Sequence, residues 1–66
     1  MIEAYNSTKK RINENFNNMF LITAYRKNLG YINKLCDVNA ITYEEYLDLK
    51  VMNIFEHFNR DGRGKT

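Results

Sequence analysis

The sequence predicts an all-α protein, either a helical hairpin or a small three-helix arrangement, and three observations carry that expectation. There is no proline and there are only three glycines in 66 residues, so the usual interruptions to helices are scarce. Apolar side chains recur three and four positions apart along most of the chain, which is the spacing of one helix face. Thr42-Tyr43-Glu44-Glu45 reads as a capping box, in which Thr42 accepts from the backbone N–H of Glu45 and the Glu45 carboxylate accepts from that of Thr42.

The N-terminal arm comes first. Ile2, Tyr5, Ile12, Phe16 and Met19 keep helical spacing, with Lys9 in the missing position. Leu21, Tyr25, Asn28, Ile32 and Leu35 continue the pattern, shifted by about half a turn. This long arm reads as one helix or two nearly collinear ones. A kink is expected near Asn17 or Gly30, because the asparagines at 13, 15, 17 and 18 are poor helix formers and a glycine costs about 1 kcal/mol relative to alanine. The loop from Asp37 to Ile41 supplies a turn, with Asn39 best suited to a left-handed conformation.

The capped helix is expected at about 42–59. Glu44 and Glu45 favour the positive end of its dipole, and Ile41 can staple onto Tyr46. Leu47, Val51, Ile54, Phe55 and Phe58 then form the expected core stripe. Glu44, Glu45, Asp48, Asn53 and Glu56 take much of the other side, with Leu49 and Met52 among them. Residues 1–59 thus read as a single helical domain and residues 60–66 as a flexible tail.

Length raises a problem of cover. About 17 residues of helix span roughly 25 Å, enough to meet only the stretch from about Phe20 to Asp37. Ile2, Tyr5, Ile12 and Phe16 then need another partner. Either the arm breaks and folds back as a third helix, or these residues meet another chain.

Ile32, Leu35, Ile41-Thr42, Glu44-Glu45-Tyr46, Lys50 and Ile54-Phe55 fall in a register that resembles the short C-terminal oligomerisation (SHOCT-like) helical hairpin. Asn39 stands where that family usually has glycine, and the match covers about residues 31–56. The resemblance implies a helical hairpin suited to association, with no chemistry attached.

Composition narrows the classes further. One cysteine, Cys36, precludes an internal disulfide framework and fits a reducing cytoplasm. One histidine, His57, and one cysteine cannot build a nitrogen-and-sulfur metal cage of about four ligands. The apolar run from Met19 to Ala24 is far short of the roughly 20 residues of a membrane span, and the N-terminus lacks the pattern of a signal peptide. Asn, Lys, Ile, Phe, Tyr and Met supply 34 of the 66 residues, and their AT-rich codons fit a low-GC bacterium, or a bacteriophage or plasmid living in one.

No motif supports catalysis. Asn59 and Asp61 resemble the first ligands of a calcium loop, but Arg63 puts a cation at the third ligand position. Gly64-Lys65-Thr66 lacks the first glycine of a phosphate loop, where Asn59 stands. His57 has no serine or cysteine nucleophile at a helical neighbour position. A non-enzymatic chain without a cofactor is expected.

Binding is the remaining class. The leading expectation is a small regulator or inhibitor that docks an apolar helix face on a host protein through Ile12, Phe16, Phe20, Tyr25, Leu49 and Met52. The alternative is a DNA-binding or DNA-processing accessory protein using Lys9, Lys10, Arg11, Arg26 and Lys27. Charge is polarised along the chain, with six basic and two acidic residues in 1–34 against one and five in 35–58. A homodimer is a further expectation, since a thin core gains from added buried area.

Overall fold

The computed structural model describes residues 2–63, which form three helices: α1 (Ile2–Asn18), α2 (Leu21–Asp37) and α3 (Tyr43–Arg63). The arm therefore breaks, and it breaks at Met19-Phe20. The preceding asparagines explain the position, because their side chains compete for backbone groups. Asn18 Nδ2 donates to the Glu14 carbonyl at 2.9 Å, and the Met19 N–H closes the last turn on Asn15. Phe20 is extended (φ −60°, ψ 147°), and its carbonyl opens α2 by accepting from the Ala24 N–H.

A nearly collinear arm is thus replaced by two helices that turn back on each other. The physical gain is cover for α1. The Tyr5 hydroxyl donates to the Asp48 carboxylate on α3, and the Arg60 guanidinium lies 5.4 Å from the centroid of the Phe16 ring. Ile12 and Phe16 are buried as a result, whereas Ile2 stays exposed at the start of α1.

Gly30 does not interrupt α2, which runs through it. That helix ends in a Schellman motif, with Asn39 N–H on the Cys36 carbonyl (3.1 Å) and Ala40 N–H on the Leu35 carbonyl (2.9 Å). Asn39 takes the left-handed conformation there at φ 58°. The capping box closes as its residues demand: Thr42 N–H to Glu45 Oε1 is 2.9 Å, and Glu45 N–H to Thr42 Oγ1 is 3.1 Å. Ile41 is buried, with Tyr46 packed against the core it joins.

Ile12, Phe16, Ala24, Ile32, Ile41 and Leu49 make the core. A chain of amides runs through it. Asn15 Nδ2 donates to Asn28 Oδ1 (2.7 Å), Asn28 Nδ2 to Asn53 Oδ1 (3.0 Å) and Asn53 Nδ2 to the Tyr25 carbonyl (3.1 Å). Asn28 and Asn53 are fully buried. One ladder of hydrogen bonds therefore joins all three helices.

This ladder reverses the expected orientation of α3. Leu49, Asn53 and Met52 face inward, while Leu47, Val51, Ile54, Phe55 and Phe58, expected as core, face out. The helix also runs past the expected end at Asn59, and residues 60–63 continue it to Arg63. Arg60 holds them in place through a 2.7 Å ion pair with Glu56 and its contact with Phe16. The rest of the expected tail lies outside the described residues.

Two stability tests follow. A Cβ added at Gly30 meets nothing within 4 Å, so Gly30→Ala should stabilise the fold by roughly 0.5–1 kcal/mol and raise the melting temperature by several degrees. Asn53→Ala removes two ladder bonds and strands the Asn28 amide, at a cost of about 2–3 kcal/mol. Urea unfolding should show its midpoint falling with an unchanged slope, and a loss below about 0.5 kcal/mol would deny the ladder a structural role.

Candidate functional site

The six residues expected to dock a partner do not form one surface. Ile12, Phe16 and Leu49 are buried inside the chain, so docking through them would require the bundle to open. Met52 is half-buried against the same core. Tyr25 is also half-buried, its ring 4.8 Å from that of His57 and its carbonyl taken by Asn53. Phe20 alone stands free, 86% exposed at the α1–α2 turn. Beside it lies a shallow, open groove lined by Asn17, Asn18, Met19 and Thr23.

The cations are dispersed as well. Consecutive residues on a helix are about 100° apart, so Lys9, Lys10 and Arg11 fan out over three directions. The Lys9 ammonium lies 5.0 Å from the Tyr5 ring, toward α3, and the Arg11 guanidinium lies 4.4 Å from the Tyr31 ring on α2. Lys10, Arg26 and Lys27 are exposed.

A different surface is assembled on α3. Leu47, Val51, Ile54 and Phe58 follow one another at intervals of four, three and four, and are 43%, 51%, 38% and 64% exposed. Phe55 (71%) flanks this seam, and Tyr43 (68%) extends it by one turn toward the start of the helix. An apolar stripe at 3.5-residue spacing is what a helix offers to another helix. Here it points away from the chain's own core.

The two charges that flank the middle of the seam, Asp48 and Lys50, are turned back into the chain. On one side the Asp48 carboxylate accepts from the Tyr5 hydroxyl. On the other the Lys50 ammonium donates to the Tyr46 hydroxyl at 3.3 Å and lies 4.9 Å from its ring. His57 borders the seam, packed edge-on to Phe58 at 5.3 Å, with its Nδ1 buried and unpartnered. The rim is therefore close to neutral in its demands on a partner.

Among the described residues, no three of His, Cys, Asp and Glu gather closely enough to hold a metal ion. No helix of the described residues is long and apolar enough to cross a membrane. Compared with protein-family models, curated proteins and solved structures, the chain matches none.

The seam was visible in the sequence as a stripe but was assigned to the core. The signal that separates the two faces is Ile41, Tyr46, Leu49, Met52 and Asn53, a second stripe at helical spacing that contains a buried amide. Counting Asn53 as solvent-facing hid it.

The Tyr5–Asp48 contact gives a test of how α1 docks on α3. Its hydrogen bond to a carboxylate, then partial desolvation and the nearby negative charge of Asp48, raise the Tyr5 pKa above the ordinary tyrosine value. A raised folded-state pKa stabilises the fold below the unfolded pKa, and that contribution disappears as pH climbs through the folded one. In a titration that follows Tyr5, Asp48→Asn should bring its ionisation down toward the ordinary tyrosine value. An unchanged titration curve would mean that the two side chains do not meet in solution.

Proposed function

We propose that this chain is a non-enzymatic interaction protein that works by burying the outward face of α3 against another polypeptide. The observation that carries the reading is the exposed seam Leu47, Val51, Ile54 and Phe58, with Phe55 and Tyr43 beside it. Contiguous apolar surface of this kind costs solubility unless it is used, and aromatic side chains are the usual anchors of a protein interface. By covering part of a host protein's surface, such a chain would modulate or inhibit that protein. Binding of nucleic acid by Lys9, Lys10, Arg11, Arg26 and Lys27 has less support, because Lys9 and Arg11 already lie against tyrosine rings of their own chain.

The test is affinity capture from cytosol treated with nuclease, using the intact chain as bait. Val51→Glu and Phe55→Ser should each weaken capture of a protein partner by roughly tenfold or more, with helical content unchanged. Lys27→Glu should leave it as it was. If the partner is retained equally by the Val51 and Phe55 variants, or is lost with nuclease, the α3 face is not the docking surface.

A further inference from the structure

We infer that in the protein on its own the occupant of the α3 face is a second copy of the chain, the two α3 helices lying antiparallel about a two-fold axis near Met52. This rests on the reading of α3 as a docking face and names what covers it in solution. Three features of the seam favour a copy of itself.

The first is self-complementary spacing. Leu47, Val51, Ile54 and Phe58 are arranged symmetrically about the middle of the seam, so an antiparallel copy sets Val51 against Ile54 and Leu47 against Phe58. Each contact then occurs twice, as an isologous interface requires. The larger Phe58 meets Leu47, while the smaller Val51 and Ile54 meet at the centre, where the helices approach most closely.

The second is the rim. Asp48 and Lys50, the charges beside the central stretch, are already held by Tyr5 and Tyr46 of their own chain. A partner needs no countercharge, and two identical rims come together without like charges opposed at the centre. Glu44 and Asp61 lie three positions before Leu47 and three after Phe58, so the antiparallel register brings Glu44 of one copy near Asp61 of the other at both ends of the seam, a repulsion that salt screens. Antiparallel packing also sets the positive end of each helix dipole beside the negative end of the other.

The third is area. Tyr43, Phe55 and Phe58, each roughly two-thirds exposed, leave on the order of 400 Å² uncovered if an aromatic side chain offers about 200 Å². Leu47, Val51 and Ile54, about half exposed or less, add roughly 200 Å², so one copy offers on the order of 600 Å², the low end of the roughly 1,200–2,000 Å² that two partners together bury in a stable interface. The bundle is only 19 × 17 Å across, so its own core is thin and gains most from doubling.

Sedimentation equilibrium of the intact chain, from low micromolar to millimolar concentration, tests the inference. The expected result is a mass that rises from 7.9 kDa to twice that value. Val51→Glu, at a half-exposed position, should stay helical by circular dichroism and raise the dimer dissociation constant roughly a hundredfold. Combining it with Ile54→Lys should restore much of the lost association, because the antiparallel register sets the new carboxylate against the new ammonium of the other copy. A parallel register would not, since it sets like charges together.

A mass of 7.9 kDa at every concentration overturns the second copy, while capture of a foreign partner through Val51 and Phe55 would still uphold α3 as a docking face. A dimer that Val51→Glu leaves intact overturns α3 as the seat of the second copy, and the capture experiment then decides the docking face by itself. A double variant no better than the single one overturns the antiparallel pairing.

Discussion

The fold turns on a ladder of amides inside an apolar core. Asn15, Asn28 and Asn53 come one from each helix, and the Tyr25 carbonyl ends the series, so no two helices can slide by a turn without breaking it. Buried amides contribute little net stability when paired and cost much when stranded, which makes them better at choosing one arrangement than at strengthening it. A single buried asparagine sets register in coiled coils by the same means. Here the choice has a surface consequence: by holding Asn53 inward, the ladder turns Val51, Ile54 and Phe55 outward.

Helix α3 consequently has two apolar faces. Leu49 and Met52 meet the other two helices, and the seam from Leu47 to Phe58 meets what lies outside. Polar side chains that would otherwise mark a solvated face are drawn elsewhere. Asn53 is in the core, Glu45 caps its own helix, Glu56 is paired with Arg60, and Asp48 and Lys50 are held by tyrosines. The outward stripe is left without a polar screen, and that absence separates a docking face from a scatter of exposed hydrophobic residues.

What was legible in the sequence was chiefly local. The capping box at Thr42 and the left-handed Asn39 depend on residues a few positions apart, and each is where its chemistry puts it. The all-α class follows from the same short-range rules. What was hidden depends on contacts across the fold. Asn28 already falls within the arm's apolar pattern, but Asn53 reads as polar, and only a partner more than twenty residues away makes its burial tolerable, so the inward face of α3 could not be told from the outward one. The arm's break was expected one turn away, near Asn17, and its folding back as a third helix was one of two alternatives that the sequence left open. Local asparagine chemistry ends α1, while the sharp reversal is decided by Ile12 and Phe16 finding cover between two helices not yet in place. Three of the residues expected on a docking face, Ile12, Phe16 and Leu49, lie in the core instead for the same reason, since strongly apolar residues are the ones a thin core takes first.

The two-residue connection at Met19-Phe20 bears on how the chain assembles. Helices joined in order by such short links make most of their contacts between neighbours in sequence, and proteins of that kind typically fold in microseconds to milliseconds. Loop closure between α1 and α2 takes almost no chain, so this hairpin can form and dissolve quickly. The Tyr5–Asp48 contact spans 43 residues and must wait until α3 has docked, which places it late on the folding route and early on the unfolding one. The start of α1 is therefore where protection against amide exchange should be weakest, even though the same helix carries Ile12 and Phe16 to the centre of the core.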